Sequence, residues 1–343
     1  MSELQPHIYT SNDNLPEGLL TGNFFHSREL FELSRQTPRH RPYMVTLETN
    51  EGIVIAQMLA LVRYRASLLP PYFYMECRIM GEGAYRKSNG EEWLLYGHDE
   101  KPSEQENEER AAHFEIMLKA IQEKMGRHVL FIEVSNLSQK MFAYRSFRQN
   151  GFFPVKWMSI HNSLHSRRPE ERISIKKQRR LNSSKNKGVS CESVKNDDDF
   201  LLFMKLLRHH NWLKPRHYIP DDHFFKGLQN SPNGKLFITR YQNIVIGCAA
   251  VVYSQKQAFL WYSAFRRKSF AYLYPADITI WNTIKDAEER PCEHIYFMDV
   301  GLPFRKNRYR DFILSFGGKP VSSFRWFRCS IDWLNRFCSW IYA

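Results

Sequence analysis

No apolar run in the chain approaches the ~20 residues needed to span a bilayer, and the opening MSELQPHIYTSNDNLPEG has no basic stretch followed by an apolar one. Neither a transmembrane helix nor a secretory leader is expected, and a cytoplasmic location follows. The six cysteines (Cys77, Cys191, Cys248, Cys292, Cys329 and Cys338) make no CxxC pair and keep no regular spacing, so reduced thiols in cores are expected instead of a disulfide frame or a zinc site. HExxH is absent. The histidines His209, His210, His217 and His223, near Asp221 and Asp222, keep no metal-ligand spacing, and adjacent His209 and His210 leave a helix on different faces. No metal is expected. The GxSxG elbow of serine hydrolases is missing too.

What is present describes a globular chain. Its 343 residues exceed the usual single domain, so two domains of about 150 to 170 residues are expected. A net charge of +13 predicts a polyanionic partner: nucleic acid, a phosphorylated precursor or cofactor, or an acidic membrane surface. The excess is concentrated between Arg167 and Gly188, where nine Lys or Arg face only Glu170 and Glu171.

One pattern occurs twice. HVLFIEVSNLSQKMFAYRSFRQNGFFPV from His128 and HIYFMDVGLPFRKNRYRDFILSFGGKPV from His294 both read apolar strand, acidic residue, loop, short helix with Tyr-Arg-x-Phe, then glycine. Glu133 aligns with Asp299, Tyr144 with Tyr309, Phe147 with Phe312 and Gly151 with Gly317. Apolar residues three and four apart predict a helix before each strand: Phe114, Met117, Ile121 and Met125 in the first copy, Ile280, Ile284 and Ala287 in the second. Upstream, MVTLETNEGIVIAQML reads strand, turn, strand. KLFITRYQNIVIGCAAVVYSQKQAFLWYSAF reads as three strands broken at Gln242-Asn243 and Gln255-Lys256-Gln257. Antiparallel strands leading into a βαβ crossover predict a mixed α/β sheet with helices on its faces, built twice. The acidic stretch from Glu100 to Arg110 is expected to be a surface loop.

The second copy resembles the Fem-type aminoacyl and peptidyl-bridge transferases of the wider GNAT (N-acetyltransferase) superfamily. The stretches that carry the resemblance are RISIKKQRRLNSSKNKGV, FITRYQNIVIGCAAVVY, YLYPADITIWNTIKDAEE and, above all, FMDVGLPFRKNRYRDFILSFGGKP. It implies tandem GNAT-like (acyl-CoA N-acyltransferase-like) domains, placed at 1–165 and 189–343 about a basic linker or helix at 166–188. It also implies transfer of an acyl group, in Fem-type members an amino acid from aminoacyl-tRNA, to an amine of a lipid- or nucleotide-linked peptidoglycan or other envelope precursor. No metal and no organic cofactor is implied. One departure matters: coenzyme-A-dependent members wrap the pyrophosphate in a Gln/Arg-x-x-Gly-x-Gly/Ala loop. Here FRRKSFAYLYPAD has no glycine between Phe265 and Asp277, and YRKSNGEEW in the first copy is no better. Two other readings stand beside this one. One is an acyl-CoA-dependent N-acyltransferase acting on an amino sugar of capsule or lipopolysaccharide; the other is a non-catalytic RNA- or membrane-binding protein of the same fold.

Aminolysis of an ester or thioester needs a neutral amine, a proton acceptor and a donor to the developing oxyanion. Asp299, at the carboxyl end of a repeat strand, is the candidate base, or else a cap on the Gly301 loop. Arg305 and Lys306 follow in a loop with Gly301 and Pro303 and suit a phosphate or the donor carbonyl, or else form a solvated pair. Tyr262 and Ser263 bring hydroxyls to a central strand, where packing is the plainer account, just before Arg266 and Arg267. Asp277 and Trp281 open a helix after Pro275; a first-turn carboxylate suits the helix dipole, and the family counterpart of Asp277 lines a cleft. Lys177 and Arg180 belong to the basic segment, read as a phosphate seat or an exposed helix face. The tail SSFRWFRCSIDWLNRFCSWIYA is expected to close the second core with a strand and helix, its Trp and Arg also suiting an interfacial helix in peripheral contact with a membrane.

Overall fold

The computed structural model describes residues 4–68, 71–95, 103–212, 217–298 and 300–342. In chain order the first half holds β1 (Gln5–Tyr9), α1 (Arg28–Gln36), β2 (His40–Glu48), β3 (Val54–Leu68), β4 (Pro71–Met80), β5 (Ala84–Tyr85), α2 (Glu104–Met125), β6 (Phe131–Ser135), α3 (Tyr144–Gln149) and β7 (Phe153–Ser163). The second half holds α4 (Pro169–Arg172), α5 (Ile175–Asn186), β8 (Val189–Ser193), α6 (Asp197–Asn211), α7 (Asp222–Asn230), β9 (Gly234–Tyr241), β10 (Ile244–Ser254), β11 (Gln257–Phe265), α8 (Pro275–Glu289), β12 (His294–Phe297), α9 (Arg308–Leu314), β13 (Lys319–Cys329) and α10 (Asp332–Tyr342). The fold is mixed α/β, and the repeat read from sequence is built: α2, β6, α3 and β7 recur as α8, β12, α9 and β13.

Contacts divide the chain into two compact units, residues 1–157 with 322–343, and residues 158–321. In the first, β1 to β4 pair antiparallel in sequence order, β4 runs parallel to β6, and β13 closes antiparallel to β6. In the second, β8 to β11 pair antiparallel, β11 runs parallel to β12, and β7 closes antiparallel to β12. In each unit the last strand to pair thus comes from the other copy. The tail therefore closes the first core and not the second, because Trp326 of β13 is fully buried and stacks 4.5 Å from the Phe147 ring.

Both helical periodicities are present in the structure. Phe114, Met117, Ile121 and Met125 are buried along α2, and Ile280, Ile284 and Ala287 along α8. The turn between β10 and β11 has positive φ at both Gln255 and Lys256, as a two-residue hairpin turn requires. The acidic stretch needs correction. Residues 100–102 lie outside the described residues, but Ser103 caps α2: its hydroxyl accepts from Glu106 N–H at 3.2 Å while Glu106 accepts from Ser103 N–H at 2.7 Å. Acids at a helix amino terminus favour the helix, so a run too polar for a core is still a good first turn. The basic stretch 166–188 forms α4 and α5 within the second unit, anchored by buried Ile173, Lys177 and Leu181.

Candidate active site

Strand β11 is paired with β10 along its length, from Gln257–Ser254 to Phe265–Gly247, but with β12 only from Gln257 to Leu260. The register against β10 slips between Ala250 and Val251, which leaves Trp261 as the extra residue of a β-bulge. A bulge bends its strand. Strand β12 stops at Phe297 in the same layer, so the two parallel strands part where their carboxyl ends begin, the position at which open α/β sheets hold their ligands.

A cleft of about 360 Å³ occupies that parting. One wall is Leu260, Trp261, Tyr262, Ser263 and Phe265 of β11 with Arg267 beyond it; the other is Met298, Asn307 and Tyr309. The end of α6 and the segment after it supply Leu207, His210, Asn211, His217 and Ile219. The Tyr262 ring is packed by Phe225 at 5.1 Å and Trp261 at 5.6 Å, so its position is set by aromatic contacts on two sides. Asn307 caps α9, accepting from Tyr309 and Arg310 N–H groups, and its amide donates to the Val300 carbonyl at 2.9 Å. That bond ties the loop after β12 to the helix that presents Tyr309.

Of the residues singled out in the sequence, Tyr262, Ser263 and Arg267 line the cleft. Asp277 and Lys177 are brought together, but with each other: Lys177 Nζ donates to Asp277 Oδ1 at 2.6 Å, both side chains buried. Burial pulls the Lys177 pKa down, opposed by the hydrogen bond and charge of Asp277. The ammonium also lies 4.1 Å from the Phe316 centroid and 4.7 Å from that of Phe312, and Arg267 stands 4.7 Å from the same Phe312 ring. The pair is thus one aromatic ring away from a cleft residue. Arg180 lies over Tyr274 at 5.1 Å, and Trp281 is buried in the core of the second unit. Arg266, Arg305 and Lys306 are exposed and are not among the residues lining the cleft. Asp299 lies outside the described residues.

His210, His217, Asn307 and Tyr309 also line the cleft, beyond the residues the sequence points to. His210 belongs to the end of α6 and His217 to the segment after it, so their spacing in the chain gives no sign that both reach one cleft. Tyr309 was visible as the repeat counterpart of Tyr144, a signal that marked symmetry and not chemistry.

The first unit does not part its strands in this way. There β4 and β6 stay paired through Met80–Ser135, and Gly81 N–H continues to the Ser135 carbonyl at 2.7 Å. Just beyond, the fully buried Glu82 carboxylate pairs with Arg110 and accepts from Ser138 N–H at 2.9 Å and its hydroxyl at 2.7 Å.

The loop between β11 and α8 bears on the donor. A helix amino terminus with free amides is a phosphate seat, but α8 begins with Pro275, which has no N–H, and carries the Asp277 carboxylate in its first turn. The preceding turn is held by α5 side chains instead: Ser184 donates to the Leu273 carbonyl at 2.8 Å and Lys187 to that of Tyr272 at 3.1 Å.

Comparison with known proteins bears on the fold. Residues 169–306 match the family model described as an acetyltransferase (GNAT) domain. No curated protein matches the sequence. Among solved structures, FemX matches with a TM-score of 0.61 at 10% identity, over 93% of this chain and 95% of that one. The C-terminal domain of a chain described as a lysylphosphatidylglycerol synthetase from Agrobacterium fabrum matches with a TM-score of 0.55 at 9% identity, over 92% and 91%. L-PGS from Bacillus licheniformis matches with a TM-score of 0.53 at 9% identity, over 91% and 92%. The GNAT-domain match thus covers residues 169–306, and the chain over most of its length shares the fold of FemX.

Proposed function

We propose that this protein is an aminoacyl-type acyltransferase that forms an amide on an amine of a peptidoglycan or other cell-envelope precursor. The observation that carries the reading is the parting of β11 and β12, which opens a cleft lined by Tyr262, Ser263, His210 and His217 of the segment that matches the GNAT model, with Tyr309 just past its end. The acceptor amine attacks the donor carbonyl; the C–N bond forms, the ester C–O bond of an aminoacyl-tRNA breaks, and the proton lost by the amine ends on the departing hydroxyl. Tyr262 or Ser263 would donate to the oxyanion, and His210 or His217 would carry the proton. Fold likeness to FemX and to lysylphosphatidylglycerol synthetases supports an aminoacyl donor. The first turn of α8 supports it as well, since Pro275 offers no N–H where a coenzyme A diphosphate would need amides.

A second reading, an acyl-CoA donor with an amino-sugar acceptor, is favoured by one observation: the matching family model is that of an acetyltransferase domain. Mass spectrometry of products separates the two. Incubation with bacterial aminoacyl-tRNA and lipid-linked peptidoglycan precursor is expected to add one amino-acid residue to the acceptor. No addition, with micromolar acetyl-CoA binding by calorimetry, would replace this reading with the second.

A further inference from the structure

The last helix is amphipathic in the wrong sense for a helix that only closes a core. Its inner side is polar or half-buried: Asn335 donates to the Gly151 carbonyl at 2.9 Å and accepts from Cys329 N–H at 2.8 Å, with Leu334, Cys338 and Ser339 beside it. Its outer side carries Trp333, 69% exposed, Phe337, 53%, Trp340, 78%, and Ile341, 51%, at spacings of four, three and one that keep them on one side. No residue of α10 is buried. An exposed patch of two tryptophans and a phenylalanine marks an interaction surface.

We propose that α10 is a docking surface for an anionic phospholipid bilayer, with the helix lying in the plane of the head groups. The charge beside it selects that occupant. A shallow groove of about 680 Å³ at the start of α10 is lined by Arg127, Arg336, Trp333, Ile331, Ser330 and Asp332. Among the described residues neither arginine has a carboxylate within ion-pair distance, so two guanidinium groups outweigh the single Asp332 carboxylate. Indole and guanidinium groups together suit the depth of lipid phosphates, where an apolar ring and a charged head are both satisfied. A second copy of the chain fits less well, because a two-fold contact would set the positive charge of Arg127 and Arg336 on one copy against that on the other. At 11 residues α10 is too short to cross the bilayer, and no described helix is long and apolar enough to do so. The surface is independent of the acyl donor and goes beyond the proposed activity.

The test is co-sedimentation of the full chain with vesicles of phosphatidylcholine alone or with added phosphatidylglycerol, alongside tryptophan fluorescence. Binding to the anionic vesicles is expected to be at least about tenfold stronger, to fall with salt, and to shift the emission to the blue. Trp333→Ser with Phe337→Ser and Trp340→Ser should weaken it about tenfold or more. Arg127→Gln with Arg336→Gln should remove the preference for phosphatidylglycerol. Because these side chains are exposed, both variants should keep the parent circular dichroism and unfolding midpoint. Equal binding to both vesicles, no binding, or undiminished binding by the aromatic variant would overturn the proposal. So would a parent dimer in sedimentation equilibrium that the aromatic variant loses, since the occupant would then be a second copy.

Discussion

Tyr262 reaches the cleft because a single extra residue, Trp261, tilts its strand away from β12. If its hydroxyl serves the oxyanion, Tyr262→Phe keeps the ring packing and removes the donor; kcat in the mass-spectrometric assay should fall about 10²-fold with KM little changed. The buried Lys177–Asp277 pair predicts the opposite pattern. Lys177→Met alone should cost about 3–5 kcal/mol in denaturant unfolding, by stranding a buried carboxylate, while adding Asp277→Leu should recover most of it and leave KM unaltered. A KM raised by the double variant would return these residues to the substrate site. Two histidines set an acid limit. Burial lowers His26 and His40, each to about 3 from an ordinary 6.5. The unfolded chain takes up those protons first, so stability is full above about pH 6.5 and is lost as pH falls toward 3, by on the order of 5 kcal/mol for each group. An acid-unfolding curve in which His26→Gln shows the same loss as the parent would contradict this. None of these partnerships was legible from sequence: Asp277 read as a helix-opening carboxylate, but its partner is 100 residues earlier.

At the scale of elements, the glycines that end α3 and α9 occupy the same place in the repeat and the same left-handed backbone, Gly151 at φ +79 and Gly317 at φ +82. Their surroundings differ. A Cβ on Gly151 would meet nothing nearer than 3.5 Å, whereas on Gly317 it would lie 2.8 Å from the Arg172 carbonyl oxygen and 2.5 Å from the Arg172 Cβ. Gly151→Ala should therefore cost only the backbone strain, about 1–2 kcal/mol, and Gly317→Ala clearly more, as read from unfolding midpoints. Equal costs would show that α4 gives way. Elements were well read where periodicity or turn chemistry is local, as in α2, α8 and the Gln255–Lys256 turn. At the start of α2 the polar run suggests a surface loop, yet Ser103 and Glu106 make a capping box and open the helix. The bulge at Trp261 was also invisible, because an extra residue in a strand is defined by the strand opposite.

The whole molecule is two repeats that do not coincide with its two compact units. Residues 158–321 hold β8 to β12, the part of β7 that pairs with β12, and their own hydrophobic core, so that fragment should fold alone with a cooperative thermal transition. Residues 1–165 lack β13, leave β6 without Trp326–Cys329 and empty the place where Trp326 stacks on Phe147; that fragment should aggregate or stay unfolded by circular dichroism. A well-folded 1–165 would mean the strand exchange adds little stability.

By itself the sequence determined the α/β class, the duplication and most helices, because hydrophobic period and turn residues act over a few positions. It also contained the hydroxyls of Tyr262 and Ser263 and the missing glycines before Asp277. Tertiary structure alone decided which strand closes which sheet, that β11 and β12 part only in the second unit, and that Lys177 neutralises Asp277. Each of these depends on groups far apart in the chain, whose meeting is set by packing and not by local preference.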